Sequence, residues 1–183
     1  GAQGVYGLDP DISIFGKVIS GGLPLAAVGG RSEIMDYLAP LGPVYQAGTL
    51  SGNPLAVAVG IRVLEILKEK KNENFKRLST HTSLFAKGLK QIGESLDIPI
   101  QTSFAGGMFG YFFNSQEVKN AEDAKKSDAK MFRRYFLGML KEGFYLPPSP
   151  YEAVFVSLSH TYNDIERFLS KSEFILRKIR SGE

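Results

Sequence analysis

The spacing of apolar residues changes from strand-like to helix-like and back along the chain. In "DISIF", residues 11–15, Ile12 and Ile14 alternate with small or polar neighbours, which predicts a short strand running into a turn at Gly16 and Lys17. "PLAAVGG", residues 24–30, predicts a second short, buried strand. Ser32 then serves as the N-cap of a brief helix that must stop before Pro40. After a glycine-rich loop, "GPVYQAGTLSGNP" at residues 42–54, Leu55, Val59, Val63, Ile66 and Leu67 fall at helical spacing. A helix capped by Asn53 is predicted from Pro54, whose missing N–H would be unpaired there anyway, to about Lys70. A break follows at "KKNEN". Phe75, Leu78, Phe85, Leu89 and Ile92 then mark a second amphipathic helix ending near Gly93.

Farther on, "GGMFGYFF", residues 106–113, reads as an aromatic strand. "AKMFRRYFLGMLKEG", residues 129–143, reads as a helix closed by Gly143, and "AVFVSLSH", residues 153–160, as another strand. "TYNDIERFLSKSEFILRKI", residues 161–179, opens with a capping-box pattern at Thr161 and Asp164. It places Ile165, Phe168, Ser172, Ile175 and Ile179 on one face. The pattern predicts an α/β or α+β chain in two parts, residues 1–72 and 73–183, with the boundary in a helical linker around residues 70–76.

Composition narrows the function classes. A chain of 183 residues that is 43% hydrophobic and 22% charged belongs among soluble globular proteins. Its 22 basic and 19 acidic residues are spread along the chain, so a formal charge of +3 gives no footing for a nucleic-acid or membrane partner. The densest basic run, "KEKKNENFKR" at residues 68–77, is interrupted by two glutamates and two asparagines and reads as a solvated helix end. The absence of cysteine removes disulfides and thiolate metal sites and fits a reducing compartment, so a cytoplasmic location is expected. His81 and His160 lie far apart, neither with a ligating partner at i+3 or i+4, so no metal is expected. No apolar stretch approaches the length of a membrane span. The opening "GAQGVYGLDPD" lacks an initiator Met, a basic n-region and an apolar h-region, and reads like the middle of a protein.

Lys17, in "FGKVISGGLP", has the setting most suggestive of chemistry. A phosphate-binding P-loop needs G-x-x-x-x-G-K-[ST]; Asp11 stands five before Gly16 and Val18 follows Lys17, which excludes it. A surface lysine, a structural ion pair and a Schiff-base lysine remain. The last must leave a strand end into a pocket, must be able to lose its proton, and benefits from neighbours too small to block an aldehyde cofactor. Gly16, Ser20, Gly21 and Gly22 leave that room.

Spacing alone does not choose among these, but longer stretches do carry a resemblance. "DISIFGKVISGGLPLAAVGGRSEIM", followed by "GPVYQAGTLSGNPLA", resembles the cofactor-lysine region and phosphate loop of the glutamate-1-semialdehyde 2,1-aminomutase family, pyridoxal-phosphate enzymes of the class-III aminotransferase group. "KEGFYLPPSPYEAVFVSLSHTYNDIERFL", with its S-x-x-E-A and S-L-x-H-T elements, is similar to that family's C-terminal segment, whereas residues 94–130 carry little of the resemblance. Related class-III aminotransferases usually have a histidine-containing "HG-S/T-T-F-x-G-N-P" loop; "YQAGTLSGNP" resembles the aminomutases instead.

The resemblance implies a fold-type-I α/β transferase, with residues 1–72 the end of the large domain and residues 73–183 the C-terminal small domain. It makes Lys17 the catalytic lysine that holds pyridoxal 5'-phosphate as a covalent imine, with pyridoxamine phosphate arising in the cycle. Gly48 and Thr49 match the loop reaching the cofactor phosphate of the neighbouring subunit in a homodimer. A hydroxyl and successive N–H groups ahead of a helix suit a dianion. Tyr45 matches an aromatic near the substrate, and Glu152 a glutamate that anchors the substrate amino group. Read without the resemblance, Tyr45 is a loop aromatic and Glu152 a surface carboxylate; His160 is expected to pack or hydrogen-bond structurally.

The implied reaction turns glutamate-1-semialdehyde into 5-aminolevulinate for tetrapyrrole (porphyrin) synthesis by moving an amino group between adjacent carbons, with no outside amino donor. The family's upstream half supplies the acid that pairs with the pyridine nitrogen, so this chain is expected to be a C-terminal part that is inactive alone. Two alternatives stand beside that reading: another class-III omega-aminotransferase, and a non-catalytic folding or dimerisation fragment.

Overall fold

The computed structural model describes residues 1–182, with the backbone alone at residue 71. The chain divides between residues 71 and 72 into two compact units, each with its own elements. Glu183, the last residue of the predicted second domain, lies outside the described residues.

The first unit contains α1 (Ala2–Tyr6), β1 (Ile12–Phe15), a 3₁₀ turn (Lys17–Ser20), β2 (Ala27–Gly30), α2 (Ser32–Met35) and α3 (Pro54–Glu69). β1 and β2 form an antiparallel ribbon, with Ile12 opposite Gly30 and Phe15 opposite Ala27. The second strand is shorter than the sequence predicts. Pro24 has no N–H to give a ladder, and the Leu23 and Leu25 N–H groups bond locally to Ser20 and Leu23 carbonyls at 3.2 and 2.9 Å, so pairing starts only at Ala27. Ser32 is likewise corrected: it is the first helical residue of α2, and Arg31 occupies the N-cap, its carbonyl accepting from the Ile34 and Met35 N–H groups at 3.0 Å.

Helix α3 begins as predicted, with Asn53 Oδ1 accepting from the Ala56 N–H at 3.1 Å and Pro54 at the first position. Its buried stripe differs from the apolar one. Ala56 and Gly60 are buried, whereas Leu55 is 66% and Ile66 45% exposed. Small residues win because the 3₁₀ turn lies almost on the helix backbone. A Cβ at Gly60 would stand 3.2 Å from the Ile19 carbonyl and 2.4 Å from Leu25 Cδ2.

The predicted break at "KKNEN" shrinks to one residue, Lys70 (φ −122, ψ 36), after which α4 (Lys71–Ser95) starts at once. Lysine and glutamate are good helix formers, and the segment holds neither glycine nor proline. The side chains around this join, Lys68–Lys70 and Asn72–Glu73, are exposed.

The second unit adds to α4 the strands β3 (Gln101–Ala105) and β4 (Met108–Phe112), helices α5 (Ala121–Lys125) and α6 (Ala129–Lys141), a two-residue β5 (Val154–Phe155) and α7 (Tyr162–Ser181). The sheet is antiparallel in the order β3-β4-β5. β3, "QTSFA", half-buried at its first two residues and exposed at the rest, carries no apolar alternation that the pattern could show. Gly106 and Gly107, read as strand, instead turn the β3–β4 hairpin, Gly106 at φ +56. β5 stops after Phe155 because residues 157–160 curl back: the His160 N–H donates to the Ser157 carbonyl (3.2 Å) and the Ser157 N–H to His160 Nδ1 (3.0 Å).

The core of this unit joins Phe85 and Leu89 of α4, Phe109 and Tyr111 of β4, Tyr135 and Met139 of α6, and Phe168 and Leu176 of α7. The whole predicted face of α7 is buried, and Thr161 and Asp164 form the reciprocal capping box. Gly138 lets α6 approach α7, since a Cβ there would lie 2.6 Å from Ile175 Cγ2. At this crossing the Tyr135 hydroxyl bonds Ser172 Oγ at 2.7 Å, both side chains fully buried.

Candidate functional site

Lys17 follows Gly16 directly after β1 and has φ +57, the left-handed region. For a residue with a Cβ this conformation is disfavoured by about 1–2 kcal/mol, and such strain persists only where surrounding contacts over-determine it. Here the contacts are visible. Ser20 Oγ donates to the Lys17 carbonyl at 2.7 Å, the Gly21 N–H donates to the Val18 carbonyl at 3.3 Å, and Gly21 itself is left-handed at φ +59. The Lys17 side chain is exposed and, among the described residues, has no ion-pair partner.

The glycine-rich loop is tied by local bonds. The Val44 N–H donates to the Tyr37 carbonyl and the Ala39 N–H to the Val44 carbonyl, both at 2.9 Å, and beyond them Tyr45 is 82% exposed. At its far end the Ser51 N–H reaches the Gly48 carbonyl (2.9 Å) and the Asn53 N–H the Leu50 carbonyl (3.1 Å), two turns that lead into α3. Among the described residues, the Thr49 hydroxyl and the N–H groups of Thr49 and Leu50 have no hydrogen-bond partner. This donor set, ahead of a helix N-terminus, suits a phosphate group.

Leu50 and Ser51 of the loop share a cleft of about 560 Å³ with Ile14 and Val28 of the ribbon; its lining includes neither Lys17 nor Thr49. Glu152 belongs to the second unit, in a turn closed by its N–H on the Ser149 carbonyl (3.2 Å). It lines a shallow cleft of about 440 Å³ with Pro147, Pro148 and Phe155. His160 packs its ring edge-on against Phe85, centroids 6.0 Å apart.

Burial decides the electrostatics of the second unit's core. Desolvation pushes the Tyr111 hydroxyl well above its ordinary range, with the neighbouring Tyr135 adding to the effect; burial likewise pushes Tyr135 up, opposed by its hydrogen bond with Ser172. Among the described residues, the Tyr111 hydroxyl and both ring nitrogens of His81 are buried without a hydrogen-bond partner. Among the described residues, no group of three or more His, Cys, Asp or Glu is placed to hold a metal ion, and no helix is long and apolar enough to cross a membrane.

The left-handed lysine and the serine beneath it were not legible in the pattern, where Ser20 counted only as a small neighbour. The available signal was the run Ser20-Gly21-Gly22, in which two glycines with positive φ follow a side chain able to bond back to its own turn.

The profile of the class-III aminotransferases matches residues 2–167. The chain belongs to the aminotransferase class-III family. Within it, the chain is 46% identical over 179 residues to glutamate-1-semialdehyde 2,1-aminomutase 2 of Exiguobacterium sp., covering 98% of this chain and 41% of that protein. The chain thus spans about two-fifths of the length of such curated class-III relatives. In three dimensions it superposes on an omega-transaminase from Sphaerobacter thermophilus with a TM-score of 0.83 at 24% identity, over 98% of this chain and 41% of that one. A glutamate-1-semialdehyde aminomutase from Pseudomonas aeruginosa, solved in complex with PMP, superposes with a TM-score of 0.77 at 20% identity, over 97% and 41%. The mixed helix and sheet of the two units accordingly have the α/β class-III transaminase fold, although both sheets within this chain are antiparallel.

Proposed function

We propose that this chain serves a glutamate-1-semialdehyde 2,1-aminomutase, an isomerase that forms 5-aminolevulinate, with pyridoxal 5'-phosphate as its cofactor. The observation that carries the reading is the 46% identity to an aminomutase along 98% of the chain. The omega-aminotransferase alternative has support from the fold alone. In this reading residues 1–72 end the cofactor-binding domain and residues 73–183 form the small domain of a cytoplasmic homodimer.

When bound, pyridoxal phosphate supplies an electron sink and carries the amino group. Lys17 Nζ holds the cofactor covalently and, when released, takes up and returns the proton at the reacting substrate carbon. Thr49 binds phosphate oxygens through its hydroxyl and N–H, helped by the Leu50 N–H, and Gly48 keeps that approach free of a side chain. The phosphate they bind is the neighbouring subunit's. Tyr45 gives the substrate an aromatic wall, and the Glu152 carboxylate accepts from its ammonium group. Because the chain spans 41% of its relative, it is expected to show no turnover alone.

The test is mass spectrometry of the chain after incubation with pyridoxal phosphate and borohydride reduction. A single stoichiometric adduct at Lys17, absent from Lys17→Ala, supports the reading. Labelling scattered over the exposed lysines overturns the assignment of Lys17 as the cofactor lysine.

A further inference from the structure

We infer that Ser20 is a positioning residue for Lys17: its buried hydroxyl, with the side-chain-free surface of α3 at Gly60, clamps the lysine backbone in the left-handed region and so fixes where the amine leaves the strand. The inference rests on the assignment of Lys17 as the cofactor lysine.

A left-handed lysine left to itself relaxes to an extended or right-handed conformation. The φ rotation involved is on the order of 120°, and it redirects the Cα–Cβ bond and the amine at the end of its flexible four-carbon stem. Two clamps oppose it. The first is the 2.7 Å bond from Ser20 Oγ to the Lys17 carbonyl. Ser20 is 3% exposed and is the buried polar side chain among the described residues of the first unit, so water is poorly placed to replace it as donor. The second is steric. The turn rests on α3 so closely that a Cβ at Gly60 would meet the Ile19 carbonyl and Leu25, and one at Gly21 would stand 2.8 Å from Val59 Cγ1. The turn has no room to slide toward the helix, and the serine bond stops it unwinding away. The result is a fixed backbone beneath an exposed side chain, which suits an amine that must alternate between holding a cofactor and moving protons.

The test compares the 183-residue chain with Ser20→Ala, Ser20→Thr and Gly60→Ala, with far-UV circular dichroism as the check on folding. One readout needs no cofactor: the rate at which a lysine-specific endoprotease cuts between Lys17 and Val18, relative to its cut after the exposed Lys126. The other is the share of borohydride-trapped pyridoxal phosphate found at Lys17. Ser20→Ala is expected to raise relative cleavage by about five- to tenfold, the equivalent of one buried hydrogen bond, and to remove the labelling preference. Ser20→Thr restores both, and Gly60→Ala, which keeps the hydroxyl but lifts the turn, behaves like Ser20→Ala. Unchanged cleavage and labelling in Ser20→Ala, or no rescue by threonine, overturns the inference. If the parent chain shows no preference for Lys17, the cofactor assignment fails, and the cleavage ratio still decides whether Ser20 holds the turn.

Discussion

Replacing Ser172 by alanine removes the partner of the Tyr135 hydroxyl at a point where both side chains are fully buried and 2.7 Å apart. Ser172 Oγ also lies 3.9 Å from Met139 Sδ, a weak acceptor that the tyrosine hydroxyl does not share. The orphaned phenol then carries its desolvation penalty, about 1–3 kcal/mol. Tyr135→Phe should cost less, about 1 kcal/mol, because Ser172 retains Met139 Sδ as a partner. In the double variant neither group is stranded, so the two effects should fail to add by about 1 kcal/mol. Urea denaturation followed by far-UV circular dichroism measures this through the helices that carry both residues. With a slope of about 2 kcal/mol per M, Ser172→Ala should lower the midpoint by about 0.5–1.5 M. A shift of Ser172→Ala below 0.2 M together with an additive double variant would refute the idea that this bond is a satisfied, water-excluded pair (slope taken as about 2 kcal/mol per M).

Alkaline pH should unfold the second unit through its buried tyrosines. Tyr111 and Tyr135 have folded-state values raised above the ordinary 10.0, so their stabilisation is complete below pH 10 and is lost as pH climbs beyond it; a thermal melting temperature flat from pH 9 through 12 would contradict this. Acid acts on the caps. Asp164 is held below the usual carboxylate value of 3.8 by its bonds from Thr161, and Asp123 by bonds from Lys126 and the Lys119 N–H. Their contributions are therefore present above pH 3.8 and fade as pH falls below it, and an Asp164→Asn variant should show a shallower acid transition in the same melt. Asn53→Ala, which leaves the Ala56 N–H uncapped, should destabilise α3 by about 1 kcal/mol, read as faster amide exchange in its first turn.

Helices with a strong stripe and a chemical signal at their ends were legible from sequence: α7 buries the residues its spacing marks, and α3 starts at the proline behind its asparagine. Elements whose limits come from tertiary contacts were not. β3 is a strand because β4 pairs with it, although its own residues show no apolar alternation and none is fully buried. The site divides in the same way. A lysine between glycines at a strand end can be read from the chain, but a positive φ at that lysine and a serine hydroxyl on its carbonyl depend on how closely a turn approaches a helix, which no periodicity encodes. Leu55 and Ile66 show the converse: their helical spacing is correct and they are nevertheless exposed within this chain.

The single non-helical residue at position 70 also matters for gene architecture. The unit that follows closes its core with elements drawn only from beyond that point, and both flanking helices end there of their own accord. A recombination joint at Lys70 would interrupt neither a helix nor that core. The unit that starts at residue 72 would thus pass between homologous genes with its own core uninterrupted.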